Sequence, residues 1–532
     1  MAKTRSERDG AGSKKRKSKR SVRRVRSADA LKGTGEAPGA SGSKDSSGSA
    51  DPSSASSPDK CDQQLVSYSL KGFNAISKLK SLTERKSKTT SRVGEHTNVM
   101  IPKSCSVSTR SKSKNRESLK ESDEKASIAA SAGDLFSDKN TQKAFEDAAR
   151  LLIHEKWYHG LMPRDEIEEL IKNSGDFIVR KTEVGKIPRY VVSVVAVKAG
   201  KIHHILILLK DGRWVLRDVA RKTISELIME HVNKKTPIHM DGTVLLSGVP
   251  RPDYYILHEH IEIKKRIGGG AFGDVFMGTW KKADGAVEVA VKRLKGRITK
   301  KERVIFLKEA KLMKRLDHRN IVRLYGIAPQ QEPMMIVLEF AANGCLKIHL
   351  KSHPETPVNS LIKYLTDASR GMYYLASRKV IHRDVAARNC LLGKEFEVKI
   401  SDFGMSEADA NVIKLDKLRN MPIKWLAPET LRQGIFTTKT DVWSFGVLIW
   451  EIFSHCRTDP FPGETNTQAK DKILSGKQPM QAPTAAPVFI GNIMQQCFCQ
   501  VPEDRVDFDG IFRQLAPNEA PPLPSPMFFT GV

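Results

Sequence analysis

The feature that most constrains this chain is a series of short segments in fixed order. IGGGAFGDVFMG sets Gly268, Gly270 and Gly273 in a G-x-G-x-x-G pattern. Alone the pattern is ambiguous, because dinucleotide-binding folds carry it at the start of a helix. Here VFMGTW and VEVAVKRL follow, so the context is strand–turn–strand. That context suits a hairpin closing over ATP phosphates, where glycine lets the backbone come close. Val275 would then lie over the adenine. Lys292 stands in VAVKRL, and Glu309 follows in the helical pattern FLKEAKLMKRL. A Lys–Glu pair bridging strand and helix would aim the ammonium at the α/β-phosphates. IHRDVAARNCLL then supplies Asp384 and Asn389, KISDFG supplies Asp402, and APE closes the series at 427–429. Asp384 is suited to accept a hydroxyl proton, and Asn389 and Asp402 to hold Mg²⁺. Any one segment arises by chance; five in order are far more specific.

Charge and cysteine usage narrow the setting. The formal charge of the 532 residues is +28, which favours acidic partners such as phosphate, nucleic acid or anionic lipid without choosing among them. Half of the excess, +14, lies in residues 1–150. Residues 1–140 read as a disordered, basic, Ser-rich tail, with the run KKRKSKR and nine serines between 41 and 57. A solvated arm, a nuclear-localisation signal and an anchor on anionic membrane all fit it. It lacks interleaved aromatics, so no specific nucleic acid is expected. The seven cysteines are odd in number and scattered, which fits a reducing compartment. No apolar run approaches the ~18 residues of a membrane span, and no signal core opens the chain. A cytoplasmic location is expected, with the inner face of the plasma membrane and the nucleus left open by the tail.

The catalytic segments resemble eukaryotic protein kinases over 261–515. The resemblance implies a bilobal fold with ATP and Mg²⁺. It places Ile267, Gly268, Gly270, Gly273, Val275, Ala290 and Lys292 around the nucleotide, with Leu338 as gatekeeper and Glu339 to Ala341 as hinge. Asp441 in DVWSFG resembles the residue that braces the catalytic loop, and Glu429 with Arg505 the ion pair that ties APE to the large lobe. Ser/Thr kinases usually carry a lysine two residues after the catalytic Asp. Here the run is Ala386-Ala387-Arg388, the tyrosine-kinase form, and MPIKWLAPE matches the tyrosine-kinase peptide platform. The substrates implied are tyrosine-bearing proteins.

A smaller α+β region covers 157–247, joined by the linker 248–260. WYHGLMPRDEIEELI and GDFIVRKTE resemble a Src-homology-2 (SH2) domain. Arg180 matches its phosphate-binding arginine. A strand interior is costly for an unpaired guanidinium unless it waits as a fork for phosphate; the competing reading is a structural salt bridge. Arg164, Thr182 and His204 match other phosphotyrosine-binding positions, although the adjacent His203 leaves the register open by one. The implied partners are phosphotyrosine proteins. An antiparallel sheet between two helices is expected, with strands at 177–180, 190–197, 202–209 and 213–216 and a helix over 223–232. A further helical pattern leads in from Thr141.

SH2 directly before a kinase resembles the Fes/Fer non-receptor tyrosine kinases, in a shortened, nematode-like form without the N-terminal membrane-bending F-BAR domain. One departure stands out. No tyrosine follows Tyr374, so the segment from Asp402 to Glu429 has none. Ile413 takes the place of the autophosphorylation site, Glu407 replaces an arginine, and Ser406 is the segment's one hydroxyl. Arg383 loses its phosphate partner, for which Asp409 and Asp416 are weak substitutes. The competing function is a phosphotyrosine-binding scaffold with an idle kinase fold; intact Lys292, Asp384 and Asp402 weigh against it. The tail 516–532 is Pro-rich, without a basic residue to orient it as an SH3 ligand.

Overall fold

Period-two alternation builds the first sheet. In β1 (Asp176–Val184), Phe177 and Val179 enter one apolar cluster while Ile178 enters another on the opposite face. The computed structural model describes residues 139–520 apart from 185–186, 198–199, 270–272, 295, 297–298 and 419–420. The expected tails and Gly270 therefore lie wholly or mostly outside the described residues. β2 (Ile187–Val195), β3 (Ile202–Lys210), β4 (Arg213–Leu216) and β5 (Val219–Arg221) continue as an antiparallel meander. β6 (Ser247–Gly248) joins β1 in parallel, so the order is β5-β4-β3-β2-β1-β6. β2 begins three residues earlier than expected, because Ile187–Arg189 pair with the end of β1.

Three helices accompany this sheet: α1 (Lys139–Leu152), α2 (Arg164–Glu168) and α3 (Ile224–Lys234). Thr223 and Glu226 form the capping box of α3. The core of the small domain starts before Trp157. Phe145 of α1 stacks on Tyr190 at 5.6 Å and meets Trp214 edge-on at 5.0 Å.

The second sheet has the order β10-β11-β9-β8-β7 and is antiparallel throughout. Its strands are β7 (Ile261–Gly269), β8 (Gly273–Lys282), β9 (Gly285–Leu294), β10 (Leu324–Ala328) and β11 (Met335–Glu339). Helix α4 (Lys300–Lys314) crosses between β9 and β10, with a capping box from Thr299 and Glu302. The helical lobe holds α5 (Leu346–Ser352), α6 (Val358–Ser377), α7 (Pro428–Gln433), α8 (Thr438–Phe453), α9 (Asn466–Leu474), α10 (Val488–Cys497) and α11 (Phe508–Leu515). α8 is apolar around most of its circumference and is buried from Thr440 to Phe453, as a central helix must be. Short pairs β12 (Val380–Ile381) with β15 (Glu407–Ala408), β13 (Cys390–Leu392) with β14 (Val398–Ile400), and β16 (Ile413–Lys414) with β17 (Ile435–Phe436) order the loops between.

The small domain rests on the strand lobe. Leu161, Ile167, Ile171 and Ile178 share one apolar cluster with Phe306, Leu307 and Ala310 of α4. Lys311 of α4 pairs with Glu166 at 3.2 Å and Glu169 at 2.6 Å. The Leu161 amide donates to Pro329 O at 2.8 Å. Gly160 has φ +66°, and a Cβ there would sit 2.2 Å from Pro329 O, so only glycine fits. The linker is also packed: the Ile256 amide donates to Ile327 O at 2.8 Å.

Two stability measurements follow from this packing. Phe145→Ala should cost about 3–5 kcal/mol in urea unfolding of the small domain; a change under about 1 kcal/mol would remove α1 from that core. His159 is fully buried, and burial pulls its pKa down to about 4. The unfolded chain takes up this proton near 6.5. The stability is thus complete above pH 6.5 and is lost as pH falls toward 4, by about 3 kcal/mol. His159→Phe should flatten the pH profile in that window; an unchanged slope would assign the acid loss elsewhere.

Candidate active site

Two sites converge from separate segments. The larger is a cavity of about 620 Å³ between the strand lobe and the helical lobe. Its upper wall carries Ile267, Gly268 and Gly273 from the first hairpin, Val275 from β8, and Ala290 with Lys292 from β9. Leu338, Glu339 and Ala341 line the crossing between lobes, and Glu309, Arg388, Asn389 and Asp402 line the far side. Gly273 has no room for a side chain, since a Cβ would meet Arg293 O at 2.6 Å. The cavity runs on to His349 of α5 and His353 just after it, which no sequence pattern marked.

Lys292 Nζ donates to both oxygens of Glu309, at 2.7 and 2.8 Å. Burial pulls the ammonium pKa down, but the Glu309 and Asp402 carboxylates outweigh it and the net direction is up. Lys292 is therefore a cation at neutral pH. Glu309 is pushed up by burial, partly offset by Lys292.

Asp384 is held from two sides. The Asn389 amide nitrogen donates to Asp384 Oδ2 at 2.6 Å and to its carbonyl at 2.7 Å. The Arg388 guanidinium pairs with Oδ1. Arg388 in turn lies 4.5 Å over the Trp425 ring. Glu451 of α8 accepts from the Ala387 amide at 2.9 Å and from Trp425 Nε1 at 3.2 Å. Glu451 was not foreseen, because an acid inside an apolar helix carries no motif.

Behind the loop, Asp441 accepts from the amides of His382 at 2.7 Å and Arg383 at 2.8 Å. Arg383 has φ +71° and Asp402 φ +63°, conformations that cost about 1–3 kcal/mol in a non-glycine residue. Both are fixed at this junction. Burial raises the Asp441 pKa to about 6, against the two amides and His382 that favour its anion. Arg505 is buried and pairs with Glu429 at 2.8 and 3.1 Å.

The segment after Asp402 corrects one expectation. Asp409 does not serve Arg383: Arg315 takes it with two hydrogen bonds, at 2.6 and 2.9 Å. Asp416 makes no ion pair among the described residues. Arg383 instead donates to Met405 O at 3.0 Å and lies 4.5 Å over Phe436. Glu407 pairs with Lys308 at 2.6 Å. The segment is thus tied to α4 and to Arg315, which caps its end, by two exposed ion pairs. Ser406 is buried, and its hydroxyl donates to His382 O at 3.1 Å. Ile413 pairs in register with Phe436.

The second site lies on the small domain. Arg180 is 6% exposed in β1, and among the described residues no carboxylate lies within ion-pair distance of it. The structural salt bridge is therefore absent. Its Nε donates to Ser193 Oγ at 3.3 Å, and Ser193 Oγ lies 2.8 Å from His204 Nδ1. His204 Nε2 and Arg164 Nε meet Glu168 Oε1 at 3.1 and 2.9 Å. Thr182, two residues along β1, shares the face of Arg180. His204 joins this cluster, whereas His203 bonds Asp241. Burial, then the neighbouring Arg164 charge, pull the Arg180 pKa down to about 10, which still leaves it cationic.

Comparison with known proteins identifies the two domains. Residues 261–515 match the family described as protein tyrosine and serine/threonine kinase, and 157–231 match the SH2 domain. Tyrosine-protein kinase Fer of Homo sapiens is 40% identical over 368 residues, covering 68% of this chain and 44% of Fer. Fer-related kinase 1 of Caenorhabditis elegans is 39% identical over 367 residues, covering 68% of this chain and 93% of that protein. Spermatocyte protein spe-8 of the same organism is 37% identical over 361 residues, 66% of this chain and 69% of that protein. The matched part spans under half of Fer but nearly all of Fer-related kinase 1, and with an SH2 domain preceding a tyrosine-kinase domain the chain belongs to the Fer-related family of non-receptor tyrosine kinases.

Proposed function

We propose that the chain transfers the ATP γ-phosphoryl group to tyrosine hydroxyls of proteins, and that its small domain brings it to phosphotyrosine. One observation carries this reading: Lys292, Glu309, Asn389 and Asp402 line one cavity, and Asn389 links it to Asp384. Lys292, set by Glu309, orients the α/β-phosphates. The carboxylate of Asp402 and the amide oxygen of Asn389 are hard oxygen donors that fit Mg²⁺, which would neutralise phosphate charge when bound. Asp384 accepts the proton of the phenol, and Arg388 positions that carboxylate. Ile267, Val275, Ala290, Leu338, Glu339 and Ala341 hold the adenine, while Gly268, Gly270 and Gly273 let the backbone meet the phosphates. The small side chains of Ala386 and Ala387 leave room for a phenol ring beside Asp384.

On the small domain, Arg180 supplies a buried cation with no ion-pair partner among the described residues, and Arg164, Thr182 and His204 complete the phosphate cradle. A cytoplasmic setting is supported by the free thiols of Cys345, Cys390, Cys456, Cys497 and Cys499 among the described residues. Among the described residues no helix is long and apolar enough to cross a membrane. The basic stretch at 1–150 would add attraction to an anionic membrane surface.

The test is phosphotyrosine formation on a Glu/Tyr copolymer by the full chain with Mg·ATP. Asp384→Asn should lower kcat by about 10²–10⁴-fold. Transfer by wild type and variant alike would end the assignment of Asp384; transfer by neither, with ATP still bound, would favour the scaffold. Arg180→Leu should weaken phosphotyrosine-peptide binding by about 2–5 kcal/mol while copolymer kcat holds. Equal peptide affinity would remove Arg180 from the cradle. Because Ser406 is buried and hydrogen-bonded, active protein should carry no phosphate there, and Ser406→Ala should stay active. A phosphorylated Ser406 required for turnover would show that the segment has a switch after all.

A further inference from the structure

A third cluster lies on the small domain, away from Arg180. His203 projects from β3 on the opposite side from His204. His239 and Asp241 come from the loop that follows α3. His203 Nε2 lies 2.7 Å from Asp241 Oδ2, and His239 Nδ1 lies 3.0 Å from Asp241 Oδ1. One ligand atom from each residue falls within 4.8 Å of the other two. The two imidazole rings stack at 3.8 Å between centroids.

We propose that His203, His239 and Asp241 form a binding site for a divalent transition-metal ion of the zinc type, which clamps this loop onto β3. Two imidazoles and one carboxylate are a donor set that zinc accepts and magnesium or calcium does not favour. Tetrahedral zinc with ligand bonds of ~2.0–2.2 Å sets its ligand atoms about 3.3 Å apart. The contacts of His203 and His239 with Asp241, at 2.7 and 3.0 Å, are somewhat shorter than that spacing, and the three ligand atoms all lie within 4.8 Å of one another. His239 Nδ1 faces both the Asp241 amide, at 3.4 Å, and the Asp241 carboxylate, at 3.0 Å.

The carboxylate is oriented from behind. Thr243 is buried, and both its amide and its hydroxyl donate to Asp241 Oδ1, at 3.0 and 2.6 Å. This leaves Oδ2 turned toward His203, as an outer-sphere donor does in a metal site. The loop is closed on itself by the Ile238 amide donating to Thr243 O at 2.8 Å. His203 is 12% exposed, Asp241 26% and His239 40%, so one side is open to water for the fourth position. Binding would displace any protons held between the nitrogens and the carboxylate.

The probe is Zn²⁺ titrated calorimetrically into the metal-stripped full chain, with Co²⁺ absorption as a report of tetrahedral geometry. Wild type should bind one more equivalent than either His203→Ala or His239→Ala. Thr243→Val should keep the equivalent with about 10–100-fold weaker affinity. Far-UV circular dichroism and the unfolding midpoint in EDTA check that each variant is folded. The decisive comparison is His239→Ala, because that side chain is the most exposed of the three. Equal Zn²⁺ stoichiometry and affinity in wild type and folded His239→Ala would overturn the proposal and leave a metal-free hydrogen-bonded clasp.

Discussion

The Lys292–Glu309 ion pair joins a strand to a helix inside the protein. Burying two charges is expensive, and the expense is recovered only when the geometry is held. Much of the structure does this holding. α4, which carries Glu309, is gripped on three sides. Its apolar face meets the strand lobe and the small domain through Phe306, Leu307 and Ala310. Lys311 reaches Glu166 and Glu169 of the small domain. Lys308 and Arg315 reach Glu407 and Asp409 of the segment after Asp402. A shift of α4 would break several of these contacts together with the ion pair.

The three grips differ in strength. The cluster with the small domain is apolar and buried, so ionic screening does not weaken it. The two ion pairs to the loop segment are exposed, and such pairs are worth about 0–1 kcal/mol each and weaken with ionic strength. The segment, which carries no tyrosine, thus bears two paired carboxylates, Glu407 and Asp409. They give the segment a preferred position without a covalent mark. Arg383, freed from any phosphate, is absorbed by Phe436 and the Met405 carbonyl.

Much of this was legible in the residue order. The segments from Gly268 to Asp402 were legible because Gly268, Gly273, Val275, Lys292, Glu309, Asn389 and Asp402 line one cavity; Asp384 bonds Asn389, whereas Glu429 pairs with Arg505. Arg180 was legible because a guanidinium in a strand interior needs a reason. What sequence could not supply was pairing between exposed charges. Nothing local tells Asp409 to choose Arg315 over Arg383; the choice depends on where α4 lies. Glu451 was hidden for a similar reason, since an acid in an apolar helix declares its partners only after folding. The His203–His204 ambiguity required the actual register of β2 against β3, in which Ser193 faces His204.

Gly160 lies against the Pro329 backbone with no space for another atom, and the apolar cluster beside it draws side chains from both domains. The stretches of sequence similarity, 157–231 and 261–515, therefore do not mark places where the chain can be cut. An isolated kinase segment would carry Phe306, Leu307 and Ala310 with much of their covering gone, and an isolated small domain would lack both α1 and its other neighbour. Excised pieces would differ from the intact chain in solubility before they differed in chemistry, so rates measured on them would describe a surface that the whole protein never presents to water.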